Sequence, residues 1–467
     1  MLISVQNILG GQLSAIGGQR LEIELPLSKS ESNRALMILH YAKSQSLRDA
    51  ETQSVMSDSD DTVLLQKHLN TLNKYLQGSL SCDCCPLTLE LDCHNAGTVF
   101  RFLMTAVAVA ETQCRRDTKF KVDSQTRHLS TSASQHLSIL LTGSERMKNR
   151  PIDSLVDALR SLGVVIEYKG REGYPPILVR GGRIEGGRVE VSAEQSSQFA
   201  SSLLLAAPLW KNGLELHLTG NLSSLPYIDM TIDMMRQCGI DVLRNERDIT
   251  VKPGRYNIEN IKVEPDWSAA AFWYEMASFS DNAEILLKNL NINSLQADAA
   301  AIKMFETLGV ETAAVEEGVV VKKTTRSIDA ETQSSEFRVQ SSEFNFKDCP
   351  DLFPAVIAAC AGNGVDATFT GLKNLSIKES DRKHAMMNEL SKIGISFEDV
   401  SDDELKMFCS EKLPYFSENN PIIFNNYDDH RIAMALSLLS MKIGTVSMEN
   451  TDVVSKSYPD FFKVINQ

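Results

Sequence analysis

Apolar positions recur along this chain in one order: a helical period, a glycine, then an alternating or β-branched stretch. Residues 155–167 (LVDALRSLGVVIE) show it first, and 231–243 (TIDMMRQCGIDVL), 301–313 (AIKMFETLGVETA) and 386–398 (MMNELSKIGISFE) repeat it. Gly163, Gly239, Gly309 and Gly394 each stand where a helix end needs a left-handed residue. Their spacings of 76, 70 and 85 residues exceed solenoid periods. The pattern therefore predicts several copies of a βαβ-containing module in an α/β protein. Between the copies, an alternating strand over Leu21–Leu25 leads through Pro26 to an apolar helix over Ala35–Tyr41. Further helices are predicted over Val99–Ala110, after Pro151, and over Phe199–Ala207, Leu352–Ala361 and Ile432–Leu439. The polar runs 111–135 and 324–343 are predicted as surface excursions, the second as a loop or ragged edge strand.

Length and composition narrow this picture. At 467 residues the chain exceeds one ordinary core, so two or three domains are expected. A formal charge of −14 argues against a general nucleic-acid or membrane-surface binder, so an anionic ligand must meet a local basic cluster. No apolar run approaches a membrane span, and Met1–Gly18 does not read as a secretory signal, so a cytoplasmic location is expected. Nine cysteines, five of them scattered singly, fit reduced thiols rather than a disulfide framework. Cys82, Cys84, Cys85 and Cys93 cluster without the paired spacing a zinc site uses, so no metal is expected there.

The candidate chemistry lies at strand-to-helix junctions that combine cations with backbone donors. Lys29, Ser30 and Arg34 occupy the junction before the first apolar helix, a setting suited to an anion. His94-Asn95-Ala96-Gly97-Thr98 repeats it, with Gly97 permitting close backbone approach and Arg101 one turn inside the helix. Ser196, Ser197 and Gln198 repeat it with neutral donors. Lys378-Glu379-Ser380-Asp381-Arg382 sets a proton donor between two cations, which share one face if the segment is helical. Arg146, Asp351 and Lys456 complete the set, with Tyr427-Asp428-Asp429-His430-Arg431 placing an imidazole and a guanidinium in a helix's first turn. Cations there oppose the helix dipole, so they serve something other than helix stability.

In order, the runs SKSESNRAL (28–36), NAGT with Arg101, RMKNRPIDSLVDALRSLG (146–163), SSQF (196–199), LPYIDMT (225–231), PD (350–351), KESDR (378–382), DDHRIAMA (428–435) and SKSYPDFF (455–462) resemble the 5-enolpyruvylshikimate-3-phosphate synthase family. The resemblance spans nearly the whole chain. It implies a two-domain enolpyruvyl transferase fold of six βαβαββ-type repeats, three per domain. One domain would be 27–262 and the other 1–26 with 263–467, the second carrying Asp351, Glu379 and His430. The implied reaction transfers the enolpyruvyl group of phosphoenolpyruvate to the 5-hydroxyl of shikimate 3-phosphate, with no cofactor, no metal and a monomeric enzyme.

By the same resemblance, Lys29, Arg101, Arg146, Lys378, Arg382, Arg431 and Lys456 would hold phosphoenolpyruvate, with Asn95 and Gly97 in the loop that presents backbone N–H groups to it. Ser30, Arg34, Ser196, Ser197, Ser224 and Tyr227 would bind shikimate 3-phosphate, Gln198 would touch both ligands, and Asp351 and Asn374 would reach the shikimate hydroxyls. Glu379 would protonate carbon, Asp351 with Lys29 would manage the hydroxyl proton, and His430 would join this catalytic group. The cations beside Glu379 work against its protonated form. Leu27, His94 and Leu225 depart from the family's usual flanking residues and are expected to alter affinity, not function. Two rivals remain at this point. One is the sister transferase acting on UDP-N-acetylglucosamine, which carries a loop cysteine and lacks KESDR and DDHR. The other is a non-catalytic anion- or RNA-binding module, which the acidic charge disfavours.

Overall fold

The computed structural model describes residues 1–3, 20–45, 56–76, 88–118, 138–259, 261–280, 283–323 and 342–466. Cys82, Cys84 and Cys85, the side chain of Cys114, most of Met1–Gly18 and the runs 119–135 and 324–341 lie outside the described residues.

The module anticipated from the sequence is a βαβαββ unit, and four copies are complete among the described residues. In the first, strand Thr88–Asp92 runs parallel to Ser138–Thr142, which pairs antiparallel with Ile177–Gly182, itself in a hairpin with Val164–Tyr168. The same order returns in Gly187–Ser192, Leu214–Thr219, Val242–Asn245 and Asp248–Val251. It returns again in Ser342–Asn345, Ala367–Thr370, Ser396–Ser401 and Glu404–Phe408. The fourth copy takes its first strand, Arg20–Ile23, from far upstream and continues through Glu284–Lys288, Val310–Val315 and Gly318–Lys323. A parallel pair needs a crossover, which is why each unit spends a helix between its first two strands. A three-stranded sheet joins Leu2–Ile3, Val446–Met448 and Ile422–Phe424.

The four glycines read as helix stops end the second helix of these units. Their φ angles are +92°, +82°, +79° and +87° for Gly163, Gly239, Gly309 and Gly394, a region that side chains with a Cβ rarely occupy.

Contacts divide the chain into two compact units. The first comprises Met1–Lys29, Ser57–Asp60 and Glu264–Gln467, and the second Ser30–Met56 and Asp61–Val263. Each has its own apolar core. The first gathers around the helices Trp267–Phe279, Phe353–Asn363 and His430–Leu438, the second around Gly97–Thr118, Ser197–Ala206 and Leu225–Gln237. No helix among the described residues is long and apolar enough to cross a membrane.

Some local expectations need correction. The helix expected from Ala35 begins at Lys29, and the polar run Glu31–Arg34 is buried within it. The helix Gly97–Thr118 continues through the polar residues read as the start of an excursion. The segment 378–381 is not helical: the 3-10 helix Lys373–Ile377 ends there, and the helix Arg382–Ser391 starts at the last residue of KESDR. Asp381 caps that helix by accepting from the His384 N–H at 3.3 Å. Lys378 and Arg382 therefore do not share a helical face; a carboxylate brings them together.

Candidate active site

That carboxylate is Asp351, in the 3-10 turn Pro350–Leu352 that opens the apolar helix Phe353–Asn363. Its Oδ1 takes Arg382 at 2.7 Å and the Lys378 ammonium at 3.3 Å, and its Oδ2 takes Arg431 at 2.9 Å. Burial alone would raise its pKa, but Arg431, Lys378 and Arg382 outweigh that and hold it well below the usual range. Arg382, 1 % exposed, is shared among three acids: Asp351, Glu379 at 2.9 Å and Asp429 at 2.8 Å. Burial would lower its pKa, yet Asp429, Glu379 and Asp351 raise it further. Glu379 has a cation at each oxygen, Arg382 at Oε2 and Lys456 at Oε1, the latter at 3.4 Å.

His430 and Arg431 begin the helix His430–Leu438, whose N-cap Asp429 accepts the Arg431 N–H at 3.0 Å. Asp429 also receives the Ser380 hydroxyl at 3.0 Å, so one carboxylate joins KESDR to DDHR. His430 is fully buried, with both ring nitrogens lacking a hydrogen bond. Burial, with Lys29 and Arg431 close by, pushes its pKa well below the ordinary value. The imidazole is thus neutral, and only Arg431 is a cation at this helix start. Lys29 is held through its backbone N–H, which donates to Asp266 at 3.2 Å. Asn374 lies on the 3-10 helix Lys373–Ile377, just ahead of Lys378.

All of these groups belong to the first unit; the second unit gathers the remaining candidates. Gly97 opens the helix Gly97–Thr118, where a Cβ would lie 2.5 Å from an Arg101 guanidinium nitrogen and 2.6 Å from one of Arg150. The position is glycine because two buried guanidinium heads occupy that space. Arg101 lies over the Phe199 ring, 5.3 Å from its centroid. Gln198, next to Phe199, donates to the Thr98 hydroxyl at 2.8 Å and keeps a buried carbonyl oxygen without a hydrogen bond. Ser196 caps the helix Ser197–Ala206 by accepting the Gln198 N–H at 3.2 Å. The loop holding Asn95 meets the turn before Arg146 where the Ser144 N–H donates to His94 O at 2.9 Å. His94 takes φ +47°, which explains why glycine would suit its position; an Asp92 carboxylate 2.8 Å from its N–H supports the turn.

Arg34 is turned inward. It donates to Thr231 Oγ1 at 2.7 Å, Ser30 O at 2.8 Å, Tyr227 O at 3.0 Å and Ser201 Oγ at 3.3 Å. Burial pulls its pKa down to about 10, against the opposing influence of Tyr227 and Glu31. It thus ties Ser30 to the helix Leu225–Gln237, where Ser224 holds the N-cap position at φ +55°.

Sequence reasoning assigned no role to Asp429, Arg150 or Asp298. Asp429 was legible as an acid ahead of a helix, and Arg150 as a second cation in RMKNRP; Asp298 carried no signal. Asp298 is buried, accepts a hydrogen bond from the Ser268 hydroxyl, and lies near Asp351 and Arg431. Burial and Asp351 push it up to about 6, against the pull of Arg431. The described cysteines do not resemble reactive thiols: burial raises the pKa of Cys93, Cys238, Cys349, Cys360 and Cys409. No group of His, Cys, Asp and Glu suited to a metal occurs among the described residues.

Comparison with known proteins identifies the family. The profile of the family EPSP synthase (3-phosphoshikimate 1-carboxyvinyltransferase) matches residues 14–465. A 3-phosphoshikimate 1-carboxyvinyltransferase from Bacteroides fragilis is 35% identical over 451 residues, covering 96% of this chain and 95% of the relative. One from Vibrio vulnificus is 30% identical, covering 94% of each. The solved EPSP synthase from Acinetobacter baumannii shares the fold with a TM-score of 0.64, at 21% identity and 96% coverage of both chains.

Proposed function

The chain belongs to the EPSP synthase family, and from that premise we propose which of its residues carry the enolpyruvyl transfer. The enzyme is a 3-phosphoshikimate 1-carboxyvinyltransferase: it moves the enolpyruvyl group of phosphoenolpyruvate to the 5-hydroxyl of shikimate 3-phosphate and releases phosphate. The observation that carries the assignment of roles is that Asp351 and Glu379 share the Arg382 guanidinium, at 2.7 and 2.9 Å. This supports a reading in which the base for the hydroxyl and the acid for the methylene carbon lie beside one cation, close enough to serve one addition followed by elimination.

In this reading Lys29, Lys378, Arg382, Arg431 and Lys456 meet the anionic groups of phosphoenolpyruvate. A substrate anion that draws Lys456 and Arg382 toward itself frees Glu379 to take a proton and pass it to the methylene carbon. The 5-hydroxyl then attacks the adjacent carbon while Asp351, with Lys29, accepts its proton. Elimination of phosphate from the tetrahedral intermediate returns the proton through Glu379. Neutral His430 donates or accepts a hydrogen bond without adding charge. In the second unit Asn95, Gly97, Arg101 and Arg146 serve phosphoenolpyruvate. Ser196, Ser197, Ser224 and Tyr227 serve shikimate 3-phosphate, Gln198 serves both, and Arg34 with Ser30 shapes that surface from beneath. Asn374 joins Asp351 at the shikimate hydroxyls. Residues of both units are needed in one turnover, by a monomer in the cytoplasm.

The test is phosphate release from phosphoenolpyruvate, measured with and without shikimate 3-phosphate and with UDP-N-acetylglucosamine in its place. Release is expected only with shikimate 3-phosphate. Full activity in both Glu379→Gln and Asp351→Ala would overturn the roles given to those residues.

A further inference from the structure

Two residues ahead of the reaction cluster adopt a conformation that L-amino acids avoid. Tyr427 has φ +53° and Asp428 φ +52°, side by side and neither a glycine. They lie immediately before Asp429-His430-Arg431, so the direction in which that helix starts depends on keeping both left-handed. Local asparagines supply part of the restraint: Asn425 Oδ1 accepts the Tyr427 N–H at 2.7 Å and Asn426 Oδ1 the Asp428 N–H at 3.0 Å. Asn450 adds a side-chain bond to Asp428 at 2.6 Å.

The remaining restraint comes from Glu389 on the neighbouring helix Arg382–Ser391. This carboxylate is 2 % exposed. Its Oε2 accepts the Asn425 N–H at 2.8 Å and Lys392 at 2.6 Å, and its Oε1 accepts the Tyr427 hydroxyl at 2.9 Å. Glu389 lies seven residues after Arg382, two helical turns along the same face. One helix therefore grips the 425–431 segment twice: at its first residue through Arg382 and Asp429 (2.8 Å), and near its last through Glu389. Of the strained pair, Tyr427 is itself held by Glu389, and Asp428 lies between it and Asp429.

We propose that Glu389 is a positioning residue for the transfer. Through Asn425 and Tyr427 it holds the left-handed pair in place, so that Asp429 meets Arg382 and Arg431 meets Asp351. This rests on the reading that Arg431 and Arg382 receive phosphoenolpyruvate. Glu389 itself touches no substrate, so its removal acts through the cations it aligns. Loss of the carboxylate lets Tyr427 and Asp428 relax, and Arg431 then loses its alignment on Asp351 at 2.9 Å.

The test compares Glu389→Ala, Glu389→Gln and Tyr427→Phe in the full chain, with Phe369→Leu as a control that loosens the core of the same unit. Separate KM values for the two substrates and kcat are measured. Glu389→Ala is expected to raise the KM for phosphoenolpyruvate about tenfold or more and to lower kcat. Tyr427→Phe is expected to give a smaller rise in the same constant, and Glu389→Gln to recover most of the loss. The KM for shikimate 3-phosphate should move less than twofold in all three, and Phe369→Leu should move neither KM. An unchanged phosphoenolpyruvate KM in Glu389→Ala overturns the proposal, as does an equal rise in the control. If Glu389→Ala fails to fold, Tyr427→Phe decides by the same criterion. Failure of the reading beneath it would show separately, as wild-type enzyme that releases no phosphate with the two substrates.

Discussion

The two units solve the problem of keeping cations out of water in opposite ways. In the first, Arg382 and Arg431 are buried against carboxylates, so that positive and negative charges interlock through Asp351, Glu379 and Asp429. In the second, Arg34 is buried against hydroxyls and main-chain carbonyls, and Arg101 lies over an aromatic ring with a carbonyl 3.5 Å from its guanidinium. The difference concerns reactivity. Acids paired with cations can exchange partners when a substrate anion arrives, and they can carry protons. Hydroxyls and carbonyls hold a guanidinium at fixed charge and contribute shape. On the proposed reading the first unit carries the proton chemistry together with most of the cations for phosphoenolpyruvate, and the second shapes the surface for shikimate 3-phosphate.

The largest expected effect comes from removing an acid of the first unit. Asp351→Ala leaves Lys378, Arg382 and Arg431 facing one another without their shared carboxylate. It should cost about 3–5 kcal/mol of stability in urea unfolding and abolish measurable turnover. Arg34→Met in the second unit should destabilise by less, because its partners are neutral and can rebond to one another.

Next in size, Glu379→Gln keeps the shape and the acceptor oxygen but removes the transferable proton. Turnover should fall by roughly 10²–10⁴, with a smaller loss of stability than in Asp351→Ala.

Gly97→Ala should act on binding. Its added Cβ meets two guanidinium heads at 2.5 and 2.6 Å, and these can shift at modest cost to the fold. The KM for phosphoenolpyruvate should rise several-fold, with stability changed by less than about 1 kcal/mol.

The smallest effects are in pH dependence, and they run in opposite directions. Asp351 is depressed, so its stabilisation is present above the ordinary 3.8 and fades only as pH falls well below that value. Asp298 is raised to about 6, so its contribution is full below 3.8 and is lost as pH rises through 6. Unfolding free energies measured across that window should decline less with rising pH in Asp298→Asn than in wild type. His430 should show no ring titration near 6.5 by NMR, since burial and its cationic neighbours keep it neutral there.

The sequence made the repeat legible because a left-handed glycine is a local requirement, written by residue type at Gly163, Gly239, Gly309 and Gly394. It made the charged motifs legible for the same reason, since KESDR and DDHR are contiguous. What it could not express was burial of polar residues: Glu31, Ser32, Asn33 and Arg34 look like a solvated junction yet lie inside a helix. Nor could it pair groups distant along the chain. Asp351 reaches Arg431 and Asp429 reaches Arg382 only after two strand-helix units have folded. The left-handed pair at Tyr427 and Asp428 is hinted at only by the Asx-rich run around it, whose Asn425 and Asn426 side chains accept the two N–H groups.

The upstream strand Arg20–Ile23 has a consequence for how the chain assembles. It pairs with Glu284–Lys288, and Leu2–Ile3 pairs with Val446–Met448, so the first strands made wait for partners synthesised hundreds of residues later. The second unit, Ser30–Met56 and Asp61–Val263, is complete in sequence once Val263 is synthesised. During translation it is free to fold first, while the emerging edges of the other unit stay unpaired. Closing such long loops is slow, and open strand edges invite association. Refolding should therefore proceed in two phases, with the slower one reporting on the unit proposed to carry the proton chemistry.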